Sequence, residues 1–309
     1  MGAIFELDAV RPRVEPVART RSTAERLADH VVAALIDEVT LTPKPGLVDI
    51  RSRGAHRDLN WPLMCHSAMS LRPTFVALAR AGEAGLDQRV LRERIGAIGR
   101  DGEAAMMQAT GGVNTHRGAI WALGLLATAA AMHPADRTAT AVASRAGKLA
   151  RVPDRFAPAA TGHKGERACR AHGVGGAKAQ AHAGFPHVVH AALPALHASR
   201  SRGDSENAAR LNALLAVIAE LDDTCVLSRG GAAALACVQE RAAGVLAAGG
   251  AGSPDGRKAL RALEAQMLAL DVSPGGAADL LAAALFLDRV ESDRGFHIIE
   301  PAIKYTRSP

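Results

Sequence analysis

The segment from residue 38 to residue 58 concentrates side chains that can transfer protons or bind anions: Glu38, Lys44, Asp49, His56 and Asp58. Prolines stand on both sides of Lys44 and Gly46 follows, so the chain is held extended there and can then turn sharply. A connection that only crosses the surface has no need of such stiffness, and binding and catalytic residues are often placed on rigid, charged loops. This segment is therefore the first candidate for an active site.

The helix that precedes this segment determines where Glu38 points. Ser22 followed by Glu25 predicts a capping box and a helix that begins there. At about 100° per residue, position 38 shares an apolar stripe with positions 27, 31 and 34. A carboxylate on that stripe needs a partner, a metal ion or a raised pKa. Two interpretations stay open: a structural glutamate paired with Lys44 or an arginine, and a carboxylate of an active site.

Four consecutive polar residues lie between two predicted helices: Asn114, Thr115, His116 and Arg117. Residues 118–132, which follow, are apolar on all sides, and this predicts a central, buried helix. Free N–H groups and the helix dipole attract anions to the start of such a helix. The alternative is a pair of helix caps, but capping needs fewer polar side chains than are present here.

Two further segments carry charge between helices. Residues 159–186 predict a long loop in which glycines surround Lys178, although the spacing of a Walker phosphate loop is missing. A flexible surface loop is an equal alternative for this segment. Residues 222–231 predict a second interhelical loop, which carries Asp223 and Arg229.

The last predicted helix begins with a proline. Ser273 is expected as its N-cap and Pro274 as its first residue, which places Asp279 in the early turns. The helix dipole favours a carboxylate at that position, so Asp279 has a structural explanation as well as a functional one.

Helical periodicity runs through nearly every long segment, and no alternation typical of strands persists. Pro73 is expected to kink or divide the first helix after residue 58. The sequence therefore predicts an all-α protein, a single large multi-helix bundle with a polar site at converging helix ends. It is expected to comprise a poorly ordered leader at 1–20, a catalytic domain at 21–290 and a C-terminal tail at 291–309. Beyond the first helix, the predicted helices are 62–81, 87–109, 118–132, 137–149, 186–200, 205–221, 231–247, 256–270 and 275–290.

The composition limits the kinds of binding partner and the cellular location that are expected. The net charge of +6 favours anionic ligands, yet the lysines and arginines are scattered and no nucleic-acid motif or set of stacking aromatics is present. No long uncharged apolar run and no charged-then-apolar leader occurs, so neither a membrane span nor a secretory signal is expected. The four cysteines lack the spacing of a zinc site and predict reduced thiols in a cytoplasmic protein.

Each polar segment lies at a helix end. A bundle whose helix ends converge would bring the acidic and basic side chains of these segments together at one site. Several acids beside several bases suggest Mg²⁺ with a polyphosphate, because Mg²⁺ prefers hard oxygen ligands.

Five segments resemble, in order, those of the triphosphoribosyl-dephospho-CoA synthases: LTPKPGLVD with GAHRD, GVNTHRGAI with ALGLL, GGAKAQAHAGFP, DDTCVLSRGG and SPGGAADLL. The resemblance implies an all-α enzyme that joins ATP to 3′-dephospho-CoA and releases adenine. The implied product is the precursor of the prosthetic group on the acyl carrier subunit of citrate lyase or malonate decarboxylase, which a prosthetic-group transferase attaches. Residues 54–75 are more similar to the malonate decarboxylase branch.

The chemistry that the resemblance implies is a glycosyl transfer, which needs a base for the attacking hydroxyl and a proton donor for adenine. Glu38 or Asp49 is expected as the base, with His56 or His116 near the adenine. Asp58, Asp223 and Asp279 are expected to bind Mg²⁺. The groups expected to bind substrate and phosphates are Lys44, Asn114, Thr115, Arg117, Lys178 and Arg229.

The chain departs from the family's usual pattern at several positions. Lys178, Gln180 and His182 stand where the family usually has Arg, Glu and Glu, Cys225 stands for Asn, and Arg117 for Lys. Lysine lacks the two-pronged phosphate contact of arginine, and glutamine lacks the charge of glutamate. Activity is expected to survive if the replaced glutamate only supports its neighbours, and to be weak or altered if it is catalytic.

Two rival functions use the same features. An all-α, Mg²⁺-dependent hydrolase of ADP-ribosyl or nucleotide substrates would use the same acids with water in place of the hydroxyl. A basic helical module that binds an acidic carrier protein or nucleic acid needs a charged surface stripe instead of buried acids.

Overall fold

The computed structural model describes residues 21–293, in which helices are joined by loops and no strand occurs, and this confirms the predicted all-α class. Within them, no helix is both long enough and apolar enough to cross a membrane. The expected leader at 1–20 and residues 294–309 of the expected tail lie outside the described residues. The helices are α1 (Thr23–Thr40), α2 (Trp61–Ser70), α3 (Arg72–Glu83), α4 (Gln88–Ala109), α5 (Arg117–Met132), α6 (Ala139–Arg151), α7 (Lys164–His172), α8 (Gly176–His182), α9 (Leu193–Ser201), α10 (Glu206–Glu220), α11 (Thr224–Ala247), α12 (Pro254–Ala269) and α13 (Gly275–Ser292). A π-helical turn, His187–Ala192, leads directly into α9.

Local sequence signals set several helix ends. Ser22 and Glu25 form the predicted capping box of α1, and Asp87 caps α4 by accepting the backbone N–H of Arg89. The predicted helix 62–81 is divided at Leu71, and Pro73 lies in the first turn of α3, where its missing N–H is no loss.

The core is formed by α1, α3, α5 and α13, which pack against one another. Helix α5 is buried along almost its whole length, as its all-round apolar sequence predicts. Small residues allow close approach of the helices, because a Cβ at Gly82 would lie 2.4 Å from the carbonyl oxygen of Thr128. This scaffold fixes the last turn of α1 next to the first turns of α5 and α13.

The expectation of a long loop at 159–186 is wrong, since α7 and α8 form there. Glu166 in the first turn of α7 accepts from Thr161 N–H at 2.7 Å and from Gly162 N–H at 3.0 Å, so it closes the helix start. Gly173 ends α7 in the left-handed conformation, with φ of 69°. These signals lie within a glycine-rich stretch, which masks the helical pattern.

Two helix starts also differ from expectation. Helix α11 begins at Thr224 with Asp223 as its N-cap, so most of the expected loop 222–231 is helical, and the helix breaks only at Gly231, where φ is 71°. Ser273 is not the N-cap of α13, which begins at Gly275 without a side-chain cap. The hydroxyl of Ser273 bonds to His56 instead.

Candidate active site

A buried ion pair lies at the end of α1. The Lys44 ammonium donates to the Glu38 carboxylate, and the two residues are only 2% and 5% exposed. Burial raises the pKa of Glu38 and lowers that of Lys44, while their mutual attraction opposes both shifts. Because neither charge could remain buried alone, the pair fixes the 38–58 segment against α1.

Asp49 holds the same loop in shape. Its carboxylate accepts from the Thr42 hydroxyl at 2.6 Å, from the backbone N–H groups of Arg51 and Ser52 at 2.8 Å, and from the Arg51 guanidinium at 3.1 Å. A longer bond of 3.3 Å comes from the backbone N–H of Lys44. Burial by itself would raise the pKa of Asp49, but the hydrogen bonds from Thr42 and Arg51 outweigh it and the pKa is lowered. Asp49 is thus a charged acceptor whose oxygens are fully engaged.

Asp223 joins the starts of two helices. Its Oδ1 accepts the N–H of Cys225 in α11 at 2.8 Å, and its Oδ2 accepts the N–H of Ala277 in α13 at 2.9 Å. A Cβ at Gly276 would lie 3.1 Å from Oδ2, so glycine permits the close approach. Burial raises the pKa of Asp223, although these N–H donors favour its charged form.

Asp279 lies in the early turns of α13, as predicted, and faces the start of α5. A Cβ at Gly118 would come within 2.0 Å of its Oδ2, and the backbone N–H of Ala119 favours its charged form. Burial raises its pKa well above the ordinary value, and the charges of Glu38 and Asp223 raise it further. Asp279 is half-buried, so it is more accessible than Glu38 and Asp223.

His116 lies in the buried wall of the same site. Its Nδ1 is 2.9 Å from the Ser67 hydroxyl, which in turn is 2.6 Å from the hydroxyl of Thr115. Its Nε2 is buried without a hydrogen-bond partner in the described part of the chain. Burial and the nearby charge of Lys44 lower the pKa of His116 to about 4, so the ring is neutral at pH 7.

A second histidine, His56, lies at the rim, the partly exposed edge of the site. His56 Nε2 is 2.8 Å from the Ser273 hydroxyl, and His56 Nδ1 is 3.2 Å from the Arg229 guanidinium and 3.8 Å from the exposed carboxylate of Asp58. Burial and the charge of Arg229 lower the pKa of His56 to about 4. Arg229 also donates to the carbonyl oxygen of Ala55 at 2.7 Å, so the rim ties the 38–58 segment to α11.

The amino ends of α5, α11 and α13 therefore converge around Asp223 and Asp279, as expected for a site at helix ends. Each such end carries a partial positive charge that favours anions, and the carboxylates of Asp223 and Asp279 already accept N–H groups there.

Other predicted residues have partners of their own or are exposed. Arg117 pairs with Glu103 at 3.0 Å, and Asn114 accepts the N–H of Arg117 at 3.3 Å. Lys178 is exposed on α8. Over residues 21–293 no three or more His, Cys, Asp or Glu side chains are grouped so that they could hold a metal ion, and Asp58, Asp223 and Asp279 do not form such a group.

Three contributors were not predicted from the sequence. The Ser67 hydroxyl orients His116, and the Ser273 hydroxyl orients His56. The absence of a side chain at Gly118 leaves space for the carboxylate of Asp279. Ser67 and Ser273 are distant in sequence from the histidines they contact, so no local spacing reveals them. Gly118 directly follows the four polar residues 114–117, and its position at the start of a buried helix was the available signal.

The all-α scaffold thus brings helix ends, acids and a buried lysine together in one candidate site. The model of the ATP:dephospho-CoA triphosphoribosyl transferase family matches residues 24–297, and the chain belongs to this family. This confirms the predicted resemblance.

Relatives align with this chain over most of its length. A protein of Klebsiella pneumoniae, named 2-(5''-triphosphoribosyl)-3'-dephosphocoenzyme-A synthase, is 58% identical over 264 residues, which are 85% of this chain and 94% of the relative. A protein of Azotobacter vinelandii, named as a probable enzyme of the same kind, is 56% identical over 272 residues, or 87% and 93% of the two chains. No solved structure matches this chain.

Proposed function

We propose that this chain transfers the triphosphoribosyl group of ATP to 3′-dephospho-CoA and releases adenine. The observation that carries the proposal is the agreement of family and site. The family is that of ATP:dephospho-CoA triphosphoribosyl transferases, and four of the five segments that resemble it supply the groups around Glu38 and Asp279.

In the proposed reaction the 2′-hydroxyl of dephospho-CoA attacks C1″ of the ATP ribose. A C–O bond forms, the bond from C1″ to adenine breaks, and the hydroxyl proton leaves while adenine gains one. The triphosphate stays attached to the transferred ribose. The centre that reacts gains positive character, as in glycoside hydrolysis, and carboxylates nearby stabilise it.

Asp279 is the proposed base for the hydroxyl, although the sequence suggested Glu38 or Asp49. The oxygens of Asp49 are engaged by its own loop, and Glu38 is buried against Lys44. Asp279 is the accessible acid of the cluster. Its raised pKa suits the role, because a base works best with a pKa close to the working pH. Glu38 and Lys44 would then set the charge around it.

His116 is the proposed contact for adenine. Its unpartnered Nε2 is the buried polar group of this wall that still lacks a hydrogen bond, and the neutral ring can exchange one with a base nitrogen. His56 would contact the substrate from the rim, with Arg229 beside it.

The helix ends and Arg229 would hold the phosphates, with Lys178 and Arg117 at the outer edge. Mg²⁺ would enter with ATP, since Mg²⁺ is usually held by substrate phosphates and one or two carboxylates. The three predicted acids do not form a cluster, but this mode needs only one or two carboxylates, and Asp58 is exposed beside His56. When bound, the ion would neutralise phosphate charge.

The product would be the precursor of the prosthetic group for an acyl carrier subunit. We propose the malonate decarboxylase branch, on the sequence similarity at residues 54–75, and a cytoplasmic location. The acyl carrier subunit and its prosthetic-group transferase would then be indirect partners.

Product analysis tests the proposal. The protein is incubated with ATP and Mg²⁺, with and without 3′-dephospho-CoA, and the products are separated and weighed by mass spectrometry. Free adenine and a triphosphoribosyl adduct, formed only with dephospho-CoA, are expected. Adenine formed equally without the acceptor would indicate the hydrolase, and ADP with a phosphorylated acceptor would indicate a kinase.

A further inference from the structure

A pocket of about 630 Å³ lies beside the loop that carries Lys44. Pro43 and Arg51 of this loop form one wall, the start of α10 forms another, and Arg257 and Arg261 of α12 form a third. Its volume is in the range of small-molecule sites. None of the groups proposed above for the reaction lines this pocket, so it is a separate feature of the molecule.

The charges of the pocket leave two arginines without acidic partners. Its two acids are already neutralised: Glu264 accepts from Arg51 at 2.9 Å, and Asp204 accepts from Arg202 at 2.9 Å. Arg257 donates to the carbonyl oxygen of Gly252 and forms no ion pair with any described residue. Arg261 likewise has no ion pair in the part of the chain that the structure describes, and it lies one turn from Arg257 on the same helix.

The pocket is linked to the proposed active site through shared side chains. Arg51 donates to Asp49 at 3.1 Å, and Asp49 accepts the backbone N–H of Lys44. Asn207, which also lines the pocket, donates to the carbonyl oxygen of Thr42 at 2.8 Å. A molecule in the pocket would therefore touch the residues that hold the Lys44 loop in place.

We propose that this pocket binds the diphosphate and the pantetheine arm of dephospho-CoA, an inference that rests on the proposed function. A diphosphate diester carries one negative charge per phosphate, which matches two unpaired guanidinium groups, whereas the triphosphate of ATP carries more charge than they can balance. Leu211 and Leu260 add apolar wall for the uncharged arm. The nucleoside end would then extend toward Asp279.

The test is a double variant, Arg257→Gln with Arg261→Gln, and a matched control, Lys258→Gln. Lys258 is exposed on the same helix and does not line the pocket, so its substitution removes a positive charge without changing the pocket. KM is measured for each substrate, and calorimetry with dephospho-CoA alone and with ATP alone gives the dissociation constants. Thermal unfolding checks that each variant is folded.

The double variant should weaken dephospho-CoA about ten- to a hundredfold in KM or dissociation constant, the scale of a lost charged hydrogen bond. ATP should be unaffected, and the control should behave like the wild type. An unchanged value for dephospho-CoA, or a loss confined to ATP, overturns the assignment. If the wild type forms no adenine, the proposed function fails, but calorimetry with dephospho-CoA still tests whether the pocket binds this substrate. Absence of dephospho-CoA binding to the wild type would overturn the pocket assignment as well.

Discussion

The 38–58 loop and the 159–186 segment both place lysine among glycine and other polar residues, yet the structure builds them in opposite ways. Lys44 is 2% exposed and bonded to Glu38, and its loop is held by Asp49. Lys178 is exposed on a short helix and has no ion pair among the described residues. By the resemblance of the sequence, the first region follows the family's usual pattern and the second departs from it. The difference indicates that buried pairing, more than lysine content, distinguishes the proposed reaction centre.

The largest expected effect separates the two lysines. Lys44→Met should lower the free energy of unfolding by about 3–5 kcal/mol, because Glu38 would be left buried without its partner. Lys178→Met should change it by less than about 0.5 kcal/mol, as exposed substitutions usually do. Urea unfolding at pH 7 measures both. Similar losses for the two variants would mean that the buried pair does not stabilise the loop.

A pH series distinguishes a buried histidine from an exposed one. The pKa of His116 is lowered from 6.5 to about 4, so the unfolded chain binds the proton more readily and stability falls as pH drops from 6.5 toward 4. The difference amounts to about 3 kcal/mol at the acid end. Glu38, Asp223 and Asp279 have raised pKa values and act in the opposite direction.

The contribution of His116 is isolated by comparing variants over that pH range. His116→Asn should make the fall in stability between pH 6.5 and 4 smaller without abolishing it, because His56, whose pKa is also lowered to about 4, keeps its own contribution. His172→Asn, at an exposed position of α7, should leave the curve like that of the wild type. Chemical unfolding at several pH values gives the curves. Parallel curves for all three proteins would show that His116 is protonated equally in the folded and unfolded states.

A smaller effect is expected at the helix junction. Asp223→Asn should cost about 1–3 kcal/mol, because both carboxylate oxygens accept N–H groups and an amide offers a single acceptor. Asp222→Asn is the matched control, since Asp222 is adjacent and exposed. Thermal and urea unfolding would show the contrast, and equal stability of the two variants would contradict the double contact.

The departures on α8 should matter least. Lys178→Arg with Gln180→Glu introduces the residues that the resemblance implies are usual in the family. It should leave turnover similar or improved, with KM for ATP changed by less than about fivefold, or about 1 kcal/mol. The structure gives the reason, since Lys178 is exposed and Gln180 bonds to His187 at 2.7 Å. Steady-state kinetics check this. Loss of activity in a folded double variant would place this segment in the reaction centre after all.

Patterns that are local in sequence predicted much of this structure. The apolar stripe placed Glu38 inside the bundle, and the all-apolar run predicted the buried α5. Apart from α7 and α8, whose helical pattern the local glycines mask, the predictions that failed depended on contacts between distant segments. Ser273 was predicted to cap a helix, but its hydroxyl forms a hydrogen bond with His56, 217 positions away. Likewise, the partner of Asp223 on α13 follows from packing and not from the capping pattern of α11.

Adenine release by Asp279→Asn tests the central claim most directly. With saturating ATP, Mg²⁺ and dephospho-CoA, this variant should release adenine at least about a hundredfold more slowly than the wild type, on the scale of a lost catalytic base. It should remain as stable as the wild type or become more stable, because the charge that Glu38 and Asp223 oppose is gone. Asp222→Asn serves again as the control and should retain wild-type release. Adenine release by Asp279→Asn within a few-fold of the wild-type rate would contradict the account.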